Sequence, residues 1–270
     1  MEKQAQEKKT YVTYETTCGV TLPTIEENKV YEVMVYKVSP DWEEFLRNNR
    51  AVNLAIGVPD PFSEDLLKKI AISANTMYTL NGIGIAANQV GFKDDWFIID
   101  TQWHETGIKK PRVVINPYII DVIEESTNQE EGCLSVPLGF KGTVKRSTAI
   151  NITYNDLTGK EVKWIALDLD ARAVQHEMGH LYGRLFIDYI SDLRLSFLEK
   201  KIAKAKKKAK NTIKNYNKNL IKQVKNLNIR YNWSEQHKHD LAEREAKSRI
   251  DLGPNRPIIV EQPNEQTSDF

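Results

Sequence analysis

The sequence predicts an α+β fold, in which helices and strands occupy separate parts of the chain. One helical pattern precedes a series of short strand-like runs, and a second helical pattern follows them. Alternating βαβ units would instead place a helix between successive strands. The chain has 270 residues, of which 40% are hydrophobic, and this is enough for one large domain or two modest domains with a real core.

Residues 1–50 are predicted to be an N-terminal elaboration with added strands. Two stretches, 11–22 and 30–38, alternate loosely between apolar and polar residues. No pattern in this part of the chain indicates a reaction, so we expect it to pack on the main domain as a hairpin or an added edge. One face of the second expected strand holds Val30, Glu32, Met34, Tyr36 and Val38.

Residues 51–198 are predicted to form the main domain. Its first helix covers 64–80, where apolar residues recur at helical spacing, and Ser63 is a candidate N-cap. A second helix begins near Asp168 or Asp170 and ends at Gly183, and 155–159 has the composition of a hairpin loop. The strand-like runs are Trp96–Asp100, Arg112–Asn116, Tyr118–Ile123, Ala149–Tyr154 and Glu161–Ile165.

A long C-terminal amphipathic helix, or two helices in succession, is predicted from Ser191 onwards. Apolar residues recur there every three or four positions, while the remaining surface is mostly Lys and Asn. Residues 199–230 form a Lys-rich helical extension, which we call the basic arm. Residues 231–270 have the composition of a charged, flexible tail.

Charge is unevenly distributed along the chain. In total, 38 Lys and Arg stand against 37 Asp and Glu, and a net charge of +1 by itself indicates neither a nucleic-acid partner nor an acidic one. Residues 200–230, however, contain 11 Lys and Arg230 but no Asp or Glu, so this stretch carries +12 and the rest carries −11. The sequence therefore predicts an acidic body joined to a basic arm.

Cysteine usage and hydropathy bear on location. Only Cys18 and Cys133 occur, which is too few for a disulfide framework and typical of a reducing compartment. No apolar run approaches the roughly 18 residues that a membrane helix needs. We expect a cytoplasmic protein with no membrane partner.

The strongest chemical signal is the HExxH run His176-Glu177-Met178-Gly179-His180. On a helix, positions i and i+4 lie on one face, so His176 and His180 can bind one metal ion, with Glu177 near a water on that metal. This arrangement is typical of metal-assisted hydrolysis. The alternative is a pair of surface histidines one turn apart.

A catalytic metal needs a third protein ligand, and the usual positions do not supply one. Phe186 stands six residues beyond His180, and the first Glu downstream of the helix is Glu199. Cys133, in the run EGCLS, is a candidate upstream, although a lone cysteine is more often an inert core residue. These residues alone leave the third ligand open.

A third run, GIGIAANQ at 82–89, contains a GxGxxA pattern. A dinucleotide-binding fingerprint must follow a strand and open a helix, whereas this run follows a helical pattern, so we discard nucleotide binding. Taken together and in this order, GIGIAANQ, EGCLS and QHEMGHLYG resemble the three signature motifs of the peptide deformylase family. The resemblance covers roughly residues 50–198.

The resemblance implies a metal-dependent deformylase domain over 51–198, in which antiparallel strands pack around the central, metal-binding HExxH helix. It implies one divalent metal per chain, held by Cys133, His176 and His180. The metal is usually Fe²⁺ in this family, with Zn²⁺, Ni²⁺ or Co²⁺ as other occupants, and a thiolate with two imidazoles suits such metals. The implied substrates are nascent polypeptides that begin with formyl-methionine, and the product is formate.

Residue roles follow from the same resemblance. Glu177 takes the proton of the attacking water and later protonates the leaving amine. The Gln89 side chain and the Leu134 backbone N–H donate to the formyl oxygen, where negative charge accumulates. Gly84 contacts the substrate, and Ile83 and Leu134 help to line an apolar pocket for the Met side chain.

Two charged residues match the family pattern, and one position in the metal helix departs from it. Glu131 and Arg146 match charged positions of the family, where such a pair would hold the cysteine loop and orient a ligand. The family usually reads HExDH, whereas Gly179 replaces the acid, at a cost of about 1 kcal/mol relative to Ala. We expect an active enzyme. The alternatives are an inactive deformylase-like protein that binds the ribosome or RNA, and an HExxH metalloendopeptidase.

The basic arm gives a second expectation. In bacterial deformylases a C-terminal helix can dock at the ribosome, and the charge of +12 over residues 200–230 would attract a phosphate-rich surface such as ribosomal RNA. Few aromatic residues accompany the lysines, so we expect nonspecific contact with the phosphate backbone and no reading of bases. A DNA partner is not expected. One alternative is a solvated helix that packs on its own domain. The other is a helix on a membrane surface, which is disfavoured because the apolar face lacks Trp and Phe.

Overall fold

The computed structural model describes four stretches of the chain, 9–48, 51–56, 61–122 and 126–231, with side chains up to residue 219. These residues divide after Leu195 into two compact units, each of which is described by itself. The first unit contains the three motifs. The second begins at Ser196, inside the C-terminal helix.

Strands and helices of the described residues are numbered in chain order. The strands are β1 (Tyr11–Val12), β2 (Ile25–Glu26), β3 (Gly84–Ala86), β4 (Trp96–Ile99), β5 (Arg112–Val122), β6 (Ser126–Glu131), β7 (Gly142–Ser147), β8 (Ala149–Asn155) and β9 (Glu161–Leu167). The helices are α1 (Trp42–Leu46), α2 (Glu64–Thr79), α3 (Trp103–Thr106), α4 (Asp168–Leu181) and α5 (Asp192–Tyr231). Two 3₁₀ turns, Ala87–Val90 and Phe186–Tyr189, follow β3 and α4.

A five-stranded antiparallel sheet forms the centre of the first unit, in the order β3-β4-β5-β8-β9. Side chains alternate across this sheet, as the pleat requires. On β4, Trp96 and Ile98 join the core cluster that contains α2, while Phe97 and Ile99 join the cluster that contains α4. The sheet therefore separates α2 from α4, and the predicted α+β class with antiparallel strands is confirmed.

Both helices predicted for the main domain are observed. Ser63 caps α2, because its Oγ accepts a hydrogen bond from the Leu66 N–H at 3.2 Å. The chain leaves α4 at Gly183, whose φ of +71° is a conformation that favours glycine. A Cβ at Gly183 would also overlap the Arg47 carbonyl oxygen.

The predicted strand-like runs lie in strands, but two of them belong to the single strand β5. This strand is irregular between Ile115 and Tyr118, where Asn116 has a φ of +50° and Pro117 follows. Residue 123, at the end of one run, lies outside the described residues. The predicted hairpin joins β8 to β9, with Asn155 paired to Glu161.

The sequence did not predict the hairpin of β6 and β7. These strands read STNQEE and GTVKRS, and all residues of β6 except Glu131 are exposed. Because β6 lacks an apolar face, its sequence carries no alternation that marks a strand. The hairpin nevertheless matters, since β6 ends at Glu131 and the EGCLS run begins the loop that joins β6 to β7.

The strand predicted over Val30–Val38 is wrong. The stretch contains no regular strand, and the buried residues are Val30, Val33, Tyr36 and Ser39, every third residue rather than every second. Between residues 9 and 29, which the structure describes, the regular strand pairs are limited to β1 with β2, two residues each. The backbone of 30–39 instead donates hydrogen bonds to loops of the main domain, as described below, and this explains why its burial does not follow a strand.

Helix α5 is one continuous helix of 40 residues. Within it, Leu198 and Ile202 are buried and Ala205, Ala209 and Ile213 are partly buried, whereas all nine lysines between 200 and 218 are exposed. Tyr216, which follows Ile213 at a spacing of three residues, is exposed. Residues 232–270, which hold nearly all of the predicted tail, lie outside the described residues. Among the helices that the structure describes, none is long and apolar enough to cross a membrane.

Candidate metal centre

Three side chains from two motifs converge in the first unit. The Cys133 sulfur and ring nitrogens of His176 and His180 all lie within 4.8 Å of one another, and Cys133 Sγ is 3.2 Å from His180 Nε2. Helix α4 presents the two histidines one turn apart, with ring centroids separated by 5.0 Å. The cysteine comes from the turn that follows β6. One sulfur and two imidazole nitrogens are a ligand set suited to a divalent transition metal.

Local hydrogen bonds shape the cysteine turn. The Val136 N–H donates to the Cys133 carbonyl at 3.0 Å, and the Ser135 N–H points at Cys133 Sγ at 3.4 Å. Burial raises the pKa of the Cys133 thiol, and the nearby Glu177 carboxylate raises this pKa further. A thiolate at this position therefore needs a positive charge close to the sulfur.

Glu131 orients one of the histidines. Its Oε2 lies 3.0 Å from His176 Nδ1, and Arg146 binds the same carboxylate through two nitrogens, at 2.6 and 2.8 Å. Burial by itself raises the pKa of Glu131, but hydrogen bonds from His176 and Arg146 outweigh it and lower the pKa to about 2. The ionised carboxylate accepts from Nδ1 and leaves His176 Nε2 for a metal.

Arg172 is a residue of the site that sequence reasoning missed. Its Nη1 donates to Glu131 Oε1 at 2.6 Å and to the Val144 carbonyl at 3.1 Å. Its position four residues before His176 places it on the same face of α4, and this spacing was the available clue. Glu131 is thus held by two buried arginines, Arg146 from β7 and Arg172 from α4.

The Gln89 side chain is fixed at both ends of its amide. Oε1 accepts a hydrogen bond from the Ala86 N–H at 2.8 Å, so the nitrogen must point the other way. Nε2 donates to Ser135 Oγ at 3.0 Å and lies 3.6 Å from Cys133 Sγ. Gln89 is 1% exposed. Its donor is therefore held beside the ligand cluster.

Glu177 lies against β3 with a free oxygen. The residue is 4% exposed, and its Oε2 finds no partner among the described residues. Burial raises the pKa of Glu177 well above its ordinary value, despite the opposing charge of Arg146. A Cβ at Gly84 would lie 2.8 Å from Glu177 Cδ, so the missing side chain makes room for this carboxylate.

A cleft of about 450 Å³ opens onto the cluster. Its walls include most of the predicted site residues, whereas His180 and Arg146 do not line it. Leu134 and Gly82 face each other, since a Cβ at Gly82 would lie 3.0 Å from Leu134 Cδ1. The predicted residues that line the cleft are Ile83, Gly84, Gln89, Glu131, Cys133, Leu134, His176 and Glu177.

The departure at Gly179 leaves the geometry of the cluster in place. A Cβ at this position would meet only Arg184 atoms, at 3.8 Å, which is ordinary van der Waals contact. The missing acid therefore leaves open space beside α4. Neither histidine is displaced from the shared face of the helix.

The site combines a buried carboxylate with a thiol and two imidazoles beside a cleft. This combination identifies the protein as a metal-dependent hydrolase. The family model described as polypeptide deformylase matches residues 46–196. The chain belongs to the peptide deformylase family, as the three motifs predicted.

Curated relatives agree with this family. The chain is 39% identical over 171 residues to a peptide deformylase of Hyphomonas neptunium, covering 59% of this chain and 96% of the relative. It is 43% identical over 144 residues to a peptide deformylase of Endomicrobium trichonymphae, covering 53% and 83%. These matches favour the deformylase prediction over the metalloendopeptidase and the inactive relative.

Solved structures also agree. A peptide deformylase from Synechococcus elongatus in complex with actinonin aligns with a TM-score of 0.55 and 30% identity, over 64% of this chain and 86% of that one. A peptide deformylase from Legionella pneumophila aligns with a TM-score of 0.55 and 30% identity, over 65% and 94%. Both alignments support the deformylase-like fold of the first unit.

Proposed function

We propose that this protein hydrolyses the N-formyl group of formyl-methionine at the start of nascent polypeptides and releases formate. The observation that carries the proposal is the Cys133, His176 and His180 cluster beside the free oxygen of Glu177. The membership of the chain in the deformylase family supports the same reaction.

Cys133, His176 and His180 are proposed to hold one divalent metal. The fit rests on three features: the spacing of the ligand atoms, the His176 Nδ1 contact that leaves Nε2 for a metal, and a buried sulfur that needs a cation to ionise. The ligand set favours Fe²⁺, with Zn²⁺, Ni²⁺ or Co²⁺ as alternatives, over Mg²⁺ and Ca²⁺. Such a metal supplies a Lewis acid that polarises a carbonyl and lowers the pKa of water.

Glu177 is proposed to move the proton. Burial raises the pKa of its carboxyl, which brings a general base towards the pH at which the enzyme works. The unpartnered Oε2 is available to accept a proton from the attacking water. The same oxygen then donates that proton to the amine that leaves when the formyl C–N bond breaks.

Gln89 and the Leu134 backbone N–H are proposed to donate to the formyl oxygen as it gains negative charge. The Ala86 N–H fixes the orientation of the Gln89 amide, so Nε2 is organised before the substrate binds. Removing one such donor typically costs about 10²–10³ in rate. We propose that Gln89→Ala lowers kcat by this factor.

Ile83, Gly84 and Leu134 are proposed to contact the substrate. All three line the cleft, and Leu134 packs partly against the core. Apolar side chains on opposite sides of a cleft favour an unbranched apolar group such as the Met side chain. Glu131 and Arg146 are proposed to orient His176 rather than to touch the substrate.

One assay tests the proposal. Protein purified without oxygen and loaded with Fe²⁺ or Ni²⁺ is expected to release formate from a formyl-Met peptide, and Glu177→Gln is expected to abolish most of this release. Equal release from both proteins, or none from either, would contradict the catalytic assignment. Metal analysis of Cys133→Ser tests the third ligand separately, because loss of one ligand sharply weakens binding.

A second proposal concerns the basic arm and the location of the enzyme. We propose that the arm contacts ribosomal RNA in the cytoplasm, because the nine lysines between 200 and 218 are exposed and contribute to the charge of +12. Replacing Lys204, Lys207 and Lys208 by Gln is expected to weaken salt-sensitive cosedimentation with ribosomes. Activity on free formyl-Met peptides should not change. Unaltered cosedimentation would contradict ribosome contact through the arm.

A further inference from the structure

Residues 34–47 contact all three motif regions from the N-terminal side. The family match begins at residue 46, so most of this segment lies outside the matched part of the chain. Its sequence, MVYKVSPDWEEFLR, contains no pattern that indicates a reaction. We call this segment the brace.

The brace joins the first two motifs through its backbone. The Met34 N–H donates to the Gln89 carbonyl at 2.7 Å, and the Tyr36 N–H donates to the Ser135 carbonyl at 2.8 Å. The same two motif residues also meet directly, since Gln89 Nε2 donates to Ser135 Oγ at 3.0 Å. The backbone N–H groups of Met34 and Tyr36 are only two residues apart in the brace, so they fix the distance between the loop of Gln89 and the loop of Cys133.

Asn88 joins the brace to the third motif. Its Nδ2 donates to the Phe45 carbonyl at 2.9 Å and to the His180 carbonyl at 2.6 Å. Asn88 is fully buried, and its Oδ1 has no partner within the described residues. A buried oxygen without a hydrogen-bond partner destabilises the folded protein. The contribution of the Asn88 side chain to the structure therefore comes from the two hydrogen bonds that Nδ2 donates.

The hydrogen bond from Asn88 to the His180 carbonyl lies in the last turn of α4. The last four carbonyls of an α-helix lack partners within the helix, and His180 is the second-to-last residue of α4. Its carbonyl accepts from Asn88 and from the Gly183 N–H at 2.9 Å. These two donors hold the turn that presents the imidazole of His180.

We propose that the brace, linked through Asn88, positions the metal ligands. It holds the Cys133 loop at a set distance from Gln89 and fixes the last turn of α4, which carries His180. Asn88 does not line the cleft, so it acts on metal binding through His180 and not through the substrate. This inference rests on the proposed metal site.

Asn75 provides a matched control. It is 3% exposed, and its Nδ2 donates to two carbonyls, those of Glu27 and Lys29, both at 2.8 Å. Unlike Asn88, it also uses its Oδ1, which accepts a hydrogen bond from the Tyr14 hydroxyl at 2.7 Å. These contacts tie another N-terminal segment to α2, and none of them involves a residue of the three motifs. Asn75→Ala therefore removes the same kind of hydrogen bonds without altering a neighbour of the metal ligands.

The experiment uses the full-length protein loaded with Co²⁺ and measures the rate of Co²⁺ release to an excess of chelator. Loss of a residue that supports a ligand typically costs 10–100-fold in metal affinity. Asn88→Ala is therefore expected to release Co²⁺ about tenfold faster than wild type. Asn88→Ser, whose hydroxyl can donate to only one carbonyl, should lie in between, and Asn75→Ala should match wild type while melting at a lower temperature.

The outcomes separate the inference from the proposed function. Wild-type protein that retains no Co²⁺ would overturn the metal site itself. Wild-type retention with equally slow release from Asn88→Ala would overturn the brace alone, and so would release from Asn75→Ala as fast as from Asn88→Ala. If Asn88→Ala does not fold, Asn88→Ser decides: faster release supports the brace, and wild-type release overturns it.

Discussion

Glu131 Oε2 lies 3.0 Å from His176 Nδ1, and this contact determines which ring nitrogen faces the cleft. An ionised carboxylate only accepts hydrogen bonds, so Nδ1 donates and Nε2 keeps its lone pair. Arg146 and Arg172 hold the carboxylate from two different elements. The orientation of one proposed metal ligand therefore depends on a buried cluster of three charged residues around it.

Glu131→Gln is expected to destabilise the protein by about 3 kcal/mol at pH 7, because it leaves two buried arginines without their shared carboxylate. The loss should depend on pH. Burial alone raises the pKa of Glu131, but hydrogen bonds from His176 and Arg146 lower it to about 2, below the roughly 4.3 of an unfolded Glu. The carboxylate therefore stabilises the fold above pH ~4.3, and this contribution disappears as the pH falls towards 2.

Urea unfolding of wild type and Glu131→Gln at pH 7 and pH 3 measures this difference. The gap between the two proteins should be smaller at pH 3 than at pH 7. Glu130→Gln, on the exposed neighbour in β6, serves as the control and should change stability by less than about 0.5 kcal/mol. A gap that widens in acid would contradict the assigned role of the carboxylate.

Gly179→Ala is expected to stabilise the protein by about 1 kcal/mol, since glycine inside a helix costs that much relative to alanine. The new methyl group has room, because its nearest neighbours would be Arg184 atoms at 3.8 Å. Thermal unfolding should show a Tm that is about 2–4 °C higher. A lower Tm would mean that α4 needs the flexibility of glycine at this position.

The sequence predicted the parts of the fold and the site that residue types reveal. A short apolar run marks β4, apolar–polar alternation marks β8, helical spacing marks α2 and α4, and three motifs mark the ligand set. The polar strand β6 carries no such alternation. The brace bonds through backbone N–H groups of Met34 and Tyr36, which any residue except proline supplies. Arg172 reads as an ordinary helix residue until the fold brings Glu131 to it.

Asp95 is expected to destabilise the folded protein above pH 6. Its carboxylate is partly buried and accepts no hydrogen bond from the described residues, and burial raises its pKa to about 6. An unfolded Asp titrates near 3.9, so between roughly pH 4 and pH 6 the folded state binds more protons than the unfolded state. Stability therefore falls as the pH rises through this window.

Asp95→Asn removes the unfavourable charge and should be more stable than wild type at pH 8 by about 1 kcal/mol, a figure reduced for partial solvent exposure. The advantage should vanish near pH 4, where both side chains are neutral in the folded state. Thermal unfolding across pH 4–8 checks the prediction, with Asp94→Asn on the adjacent residue as the control. An advantage that does not change with pH would show that charge is not the cause.

Gly84→Ala is expected to lower kcat by about 10²-fold or more. The new methyl group would occupy the space of the Glu177 carboxylate, and displacing a general base by about 1 Å can cost this factor. The three atoms nearest to that methyl group all belong to Glu177 and none is a ligand atom, so metal content should stay close to wild type.

Gly132→Ala is the matched control, because its methyl group would meet only Lys141 Cγ, at 3.8 Å, and its φ is not in the left-handed region. Steady-state kinetics on a formyl-Met peptide, with metal analysis of the same samples, should therefore show a large loss of kcat for Gly84→Ala and a small one for Gly132→Ala. Equal kcat values for the two variants would mean that Glu177 can move aside without loss of function, and would remove this carboxylate from the proposed proton transfer.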